Sequence, residues 1–152
     1  MESNRAPASN DELANRTARQ PDYALENRAL VRLAKAQTGP KANLLQEIAE
    51  AALTVCNAGS AGISLVETVG ESRHFRWLAV AGLCADLRGK TTAWDECPCG
   101  VTLQAGAPQL FIQPQDRFPS LQFPGVNVVE GIVVPIPGGD SVGRDMGDVP
   151  CA

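Results

Sequence analysis

The amino-acid sequence predicts an α+β domain in which a mostly antiparallel sheet is flanked by helices. Three observations predict it. Two stretches before Gly59 carry apolar residues at helical steps; the segments on either side of Gly70 are strand-like; and two more strand-like segments follow a short helix closed by Gly106.

In chain order, residues 1–20 are polar, rich in Asn and Arg, and without an apolar period, so a disordered tail is expected. Pro21-Asp22 opens a first helix over 22–37. Leu25, Ala29, Leu30, Leu33 and Ala34 share one stripe, and Arg28, Arg32 and Lys35 lie largely off it. Gly39-Pro40 ends this helix. In the next, Leu44, Leu45, Ile48, Ala52 and Val55 recur at helical steps up to Asn57-Ala58-Gly59.

"AGISLVET" then predicts a strand, and Gly70 marks the turn. "RHFRWLAVAG" alternates, with Phe75, Trp77 and Ala79 on one face and Arg76 and Leu78 on the other, which predicts a hairpin. Residues 82–98 read as a long connection, a kind of segment that often carries function. "GVTLQAG" makes a short helix and "PQLFIQ" a strand. "PQDRFPSLQFPGV" is a Pro-punctuated loop, and "NVVEGIVVPIP" is a continuous apolar strand expected to be buried on both faces.

The chain of 152 residues has the length of one domain, and 44% hydrophobic with 20% charged residues suits a globular protein. A net charge of −4 without a basic cluster argues against nucleic acid or an anionic membrane surface as partner. No apolar run approaches the roughly 18 residues of a membrane span. The polar N-terminus lacks the apolar segment of an export signal, so the expected compartment is the cytoplasm. The 5 cysteines, at 56, 84, 97, 99 and 151, are an odd number, which predicts reduced thiols.

The stretch "DECPCGVTLQAG" sets Cys97 and Cys99 one residue apart ahead of the short helix. A structural zinc site takes four ligands, usually in C-x₂₋₄-C pairs. Here His74 is the sole histidine and no second cysteine pair exists, so neither a metal nor another cofactor is expected. A redox role has a physical basis, because a helix start favours thiolate over thiol at Cys99. The packing reading is favoured over it. A small, buriable cysteine suits a tight helix entry, and no neighbouring His or Lys offers to activate the thiol.

Six segments occur in an order that resembles a bacterial GAF domain. They are "PDYALENRALVRLAKA", "LLQEIAEAAL", "SAGISLVE", "FRWLAVAG", "CPCGVTLQAGAPQLF" and "GIVVPIP", and together they span about residues 21–137. They are most similar to the GAF sensor regions that precede histidine kinases and related signalling proteins. The resemblance implies a GAF-like, PAS-related sheet around a small-molecule pocket, with Cys99-Gly100 at the entry of the pocket helix. The pocket candidates are Trp77, Trp94, Cys99, Gly100, Phe111, Arg117 and Phe118. Trp77, like Phe75, also suits plain core on an alternating strand. Trp94, an aromatic in a long connection, suits a lid. Arg117-Phe118-Pro119 falls where such a domain closes one side of its cavity, and Arg117 suits an anion contact or an exposed surface. His74 has no adjacent cysteine, unlike the Cys-His pair of bilin-binding members, so no photoreceptor is inferred.

The sequence departs from the family after "VVPIP". The family continues with a further strand and a C-terminal helix, whereas here the text is "GGDSVGRDMGDVPCA". Asp-Met-Gly read one base later gives Thr or Ile followed by Trp, close to the family's strand. The expectation is a frame change near residues 141–144, with the last strand and the C-terminal helix missing. Strands at 61–67 and 130–136 would then each keep an unpaired edge.

The organisation expected is a tail at 1–20, a linker and dimerisation helix at 21–40, an incomplete GAF domain at 41–137 and an off-pattern tail at 138–152. The expected function is a non-catalytic sensory module of a two-component signalling protein. Its partners would be an unidentified small molecule and a second copy, paired through residues 22–37. The enzymatic alternative is a GAF-fold free-methionine-sulfoxide reductase using a cysteine that resembles Cys99. That family needs a second catalytic cysteine in the following loop, and residues 113–127 contain none.

Overall fold

Asp22 starts the helical layer by accepting the backbone N–H of Leu25 at 2.9 Å, which satisfies a first-turn donor of helix α2 (Tyr23–Ala36). The computed structural model describes residues 10–137. Its helices are α1 (Asn10–Ala14), α2, α3 (Lys41–Val55) and α4 (Pro98–Ala105). Its strands are β1 (Ser60–Val69), β2 (Ser72–Gly82), β3 (Thr91–Ala93), β4 (Gln109–Ile112) and β5 (Glu130–Val133). The expected tail at 138–152, with the inferred frame change and Cys151, lies outside the described residues.

The chain is α+β with antiparallel pairing throughout. β1, β2 and β3 form one sheet in that order, and β4 with β5 forms a second. Among the described residues β1 and β5 therefore each have a strand neighbour on one side only.

α2 lies along α3, with Leu25, Ala29, Leu33 and Ala36 half-buried. Arg32 reaches across to Glu47 at 2.6 Å and Glu50 at 3.3 Å. The stripe read from sequence is thus rotated: Leu30 and Ala34 face outward, and Leu30 is 63% exposed. α3 in turn packs on one face of the β1–β2 hairpin, where Ala49, Ile63, Ala79 and Ala81 are buried against Leu45, Ile48 and Leu53.

The other face of the hairpin carries the larger core, from Val66, Phe75, Trp77 and Val80 to Cys97, Cys99 and Leu103. Ala79 does not share a face with Phe75 and Trp77, as simple alternation predicts. Ile63 pairs with Ala79 but Ser64 pairs with Trp77, so Leu78 is an extra residue at a β-bulge. The bulge turns Ala79 and Ala81 toward α3 and sends Val80 to the side of Trp77. Small residues meet the helix and large ones the opposite interior.

Three further expectations change. The segment 82–98 is not an unstructured connection, since it contains two 3-10 turns and β3, which pairs with β2. The segment at 10–20, read as lacking order, contains α1. Arg16 there contacts Glu12 at 3.2 Å and Glu130 of β5 at 2.8 Å, and these ion pairs tie it down. The "NVVEGIVVPIP" segment is not buried on both faces. Its strand is confined to Glu130–Val133, and Ile132 is 51% exposed because no described strand or helix covers that face.

Candidate functional site

α4 begins where the chain is least able to cap a helix by side chain. Cys97 occupies the N-cap position without a side-chain hydrogen bond, and Pro98 fills the first turn, where its missing N–H costs nothing. Thr102 Oγ1 donates back to the Pro98 carbonyl at 3.1 Å. Gly106 ends the helix in the left-handed region at φ 63° and accepts the αL geometry that a side chain would resist.

This construction buries both thiols. Cys97 is 0% and Cys99 3% exposed, and Ser64 Oγ lies 3.5 Å from Cys99 Sγ. No disulfide joins the described cysteines. The hydrogen bond with Cys99, together with burial, pushes the Cys97 thiol well above its ordinary range. The helix start therefore does not deliver a thiolate at Cys97. The Cys99 contact first, and burial second, keep it a thiol.

Trp94 stands directly over this helix entry. A Cβ built on Gly100 would lie 2.5 Å from the Trp94 carbonyl oxygen and 3.2 Å from its indole Nε1, so only glycine lets the two backbones approach. The indole is half-buried. It stacks on Phe75 with ring centroids 5.2 Å apart and planes inclined by 17°. The Arg73 guanidinium carbon lies 3.8 Å from the Trp94 ring centroid. Trp77 is deeper, and its Nε1 donates to Thr92 Oγ1 at 3.0 Å, which satisfies the one polar atom of a buried indole.

The structure thus brings Trp77, Trp94, Cys99 and Gly100 together around α4. Phe111 and Phe118 form a separate contact, edge to face with centroids 5.7 Å apart. The exposed Arg117 leans on the outer side of that contact, 5.2 Å from the Phe118 ring. His74 is partly exposed on β2 and lies 3.4 Å from one Glu67 carboxylate oxygen, while Arg76 holds the other at 2.7 Å.

Sequence reasoning missed Arg73, Thr92 and Ser64. Arg73 was findable, because strand period places it on the face of Phe75. Thr92 and Ser64 were not, since their partners lie 15 and 35 residues away.

Shallow recesses lie along α2, lined by residues such as Asn27, Arg28, Val31 and Arg32. Among the described residues no group of three or more His, Cys, Asp or Glu is placed to hold a metal ion. No helix among them is long and apolar enough to cross a membrane. No family model, curated protein or solved structure matches this chain.

Proposed function

We propose that the chain is a non-catalytic sensory module of the GAF type, which takes a small flat molecule beneath Trp94 and associates with a second copy through α2. The observation that carries the reading is the seating of Trp94 on Gly100. A half-buried indole held by one ring and one guanidinium, over a residue with no side chain, has the construction of a removable cover.

Swinging the indole out would leave its place to a ligand. The contacts it vacates define the ligand class. Phe75 offers an aromatic face and Arg73 a cation, so a planar molecule with an anionic edge replaces both contacts of the indole. Such binding becomes a signal only if the ligand favours one arrangement of the chain over another. The two-component context and the output partner belong to this proposal.

Thiol catalysis is disfavoured on the same geometry. Cys97 is buried and held neutral, and Cys99 lies beneath the same core rather than at an open surface. The dimer part rests on Tyr23, Leu30 and Val31, exposed at 69%, 63% and 54% on the side of α2 turned away from α3.

The test is a panel of planar organic acids followed by thermal shift and by acrylamide quenching of tryptophan. A binder is expected to raise the melting temperature and to make Trp94 more accessible, with the quenching change lost in Trp94→Phe. A panel without any binder, or a binder that leaves Trp94 quenching unchanged, overturns the cover.

A further inference from the structure

We infer that residues 12–22 are a charge-held strap, which couples the β4–β5 ribbon to the start of α2 and opens when its ion pairs are screened. The inference does not depend on whether a ligand binds beneath Trp94. Two observations carry it.

The first is how the segment is anchored. Arg16, Arg19 and Asp22 recur at every third residue, and each holds a different element. Arg16 lies 2.8 Å from the Glu130 carboxylate of β5 and 3.2 Å from that of Glu12 in α1. Arg19 donates from its guanidinium to the Val55 carbonyl in the last turn of α3. That turn holds no basic residue of its own, so Arg19 supplies the cation that a helix C-terminus favours. Asp22 caps α2 by accepting the Leu25 N–H. The three side chains thus tie one short stretch of chain to β5, α3 and α2.

The second is what the anchoring does without. Residues 14–24 are all exposed, and within 12–22 only Leu13 is half-buried. α1 lies against β4, yet its 5 residues are too few for a helix that stands alone. Buried apolar surface therefore does not fasten residues 14–22, and the charged side chains do. Exposed ion pairs are weak singly, and they weaken further as salt shortens the screening length from about 10 Å at 0.1 M to about 3 Å at 1 M. When closed, the strap holds Glu130 and the entry to α2 at a fixed separation, so a shift of β5 is passed on to α2. When open, α2 keeps its packing on α3 and loses that link.

The experiment uses the full chain and brief digestion with trypsin, read as cleavage after Arg19. Each rate is normalised to that of a peptide of residues 14–24 with the same sequence at the same salt. Raising sodium chloride from about 0.1 M to about 1 M should speed the normalised cleavage by about two- to fivefold, the range of exposed ion pairs. Glu130→Gln should give the fast rate already at low salt. Arg16→Glu and Glu130→Arg should each speed cleavage singly and together restore the slow rate, because the pair re-forms with its signs exchanged. Cleavage after Arg28, inside α2, should stay slow throughout. Cleavage after Arg19 that ignores both salt and Glu130→Gln, a double reversal as fast as its singles, or cleavage after Arg28 that rises in step would each overturn the inference.

Discussion

Gly100 and Trp94 meet so closely that a methyl group on Gly100 would sit 2.5 Å from the Trp94 carbonyl oxygen. Gly100→Ala should therefore push the 94–96 turn off α4 and destabilise the fold by about 1–3 kcal/mol, the usual cost of overpacking. Urea unfolding measures it. A midpoint shift with unchanged slope is expected, because the loss is native packing rather than compactness.

Arg73 holds the indole from outside, with its guanidinium carbon 3.8 Å from the Trp94 ring centroid. Arg73→Ala should cost about 0.5–1 kcal/mol, in the range of an exposed cation–π contact. It should also raise acrylamide quenching of Trp94 and leave Trp77 unaffected, since Trp77 is held by Thr92.

The thiols should divide by depth. Cys56 is exposed, whereas Cys84, Cys97 and Cys99 are buried. A thiol reagent should modify Cys56 within the mixing time and reach Cys97 and Cys99 only at the rate of unfolding.

Cys97 also makes an alkaline prediction. Its thiol is raised above the ordinary value of 9.0 by the Cys99 hydrogen bond and burial. Above about pH 9 the unfolded chain loses this proton and the folded chain keeps it. The unfolded state then binds fewer protons, and stability falls as pH rises, by up to about 1.4 kcal/mol per pH unit for this group. Stability is unaffected by it below that pH. Denaturation curves between pH 8 and 10.5 should show a smaller alkaline loss in Cys97→Ala than in the parent chain.

Leu30→Glu isolates the α2 surface. Leu30 is 63% exposed, while Leu33 is half-buried where α2 lies along α3. Leu30→Glu should shift a dimer toward monomer in sedimentation without lowering the melting temperature, whereas Leu33→Glu should lower it.

Much of this arrangement was legible. The helices at 23–36 and 41–55 announce themselves through apolar spacing and the Gly39-Pro40 break, and the hairpin through Gly70. Cys99-Gly100 was legible as a helix entry, yet not as the seat of Trp94, because nothing in the local pattern says which backbone will lie on a glycine. The side of α2 that meets α3 was misread by one step. Leu30 and Leu33 are equally apolar, and only the position of α3, set by its packing on the β1–β2 hairpin, chooses between them. β3 was hidden for a different reason: Thr91-Thr92-Ala93 is too short to show alternation and is a strand only because β2 runs beside it.

The extra residue at Leu78 has a consequence for how β2 tolerates change in length. Upstream of it the strand is written in one phase, with odd positions such as Phe75 and Trp77 facing the α4 side. Downstream the phase is reversed, with Ala79 and Ala81 turned to α3 and Val80 turned to α4. Deleting Leu78 would restore unbroken alternation and keep both ends of the hairpin in step, because Trp77 stays opposite Ser64 and Ala79, now its neighbour, stays opposite Ile63. Ala79, Val80 and Ala81 then keep both their partners on β1 and the layers they face, and Gly82 stays opposite Ser60, so Leu83 still reaches the Gly59 carbonyl. Leu78 is thus a removable stitch: its loss straightens the strand and leaves each remaining residue opposite its present partner.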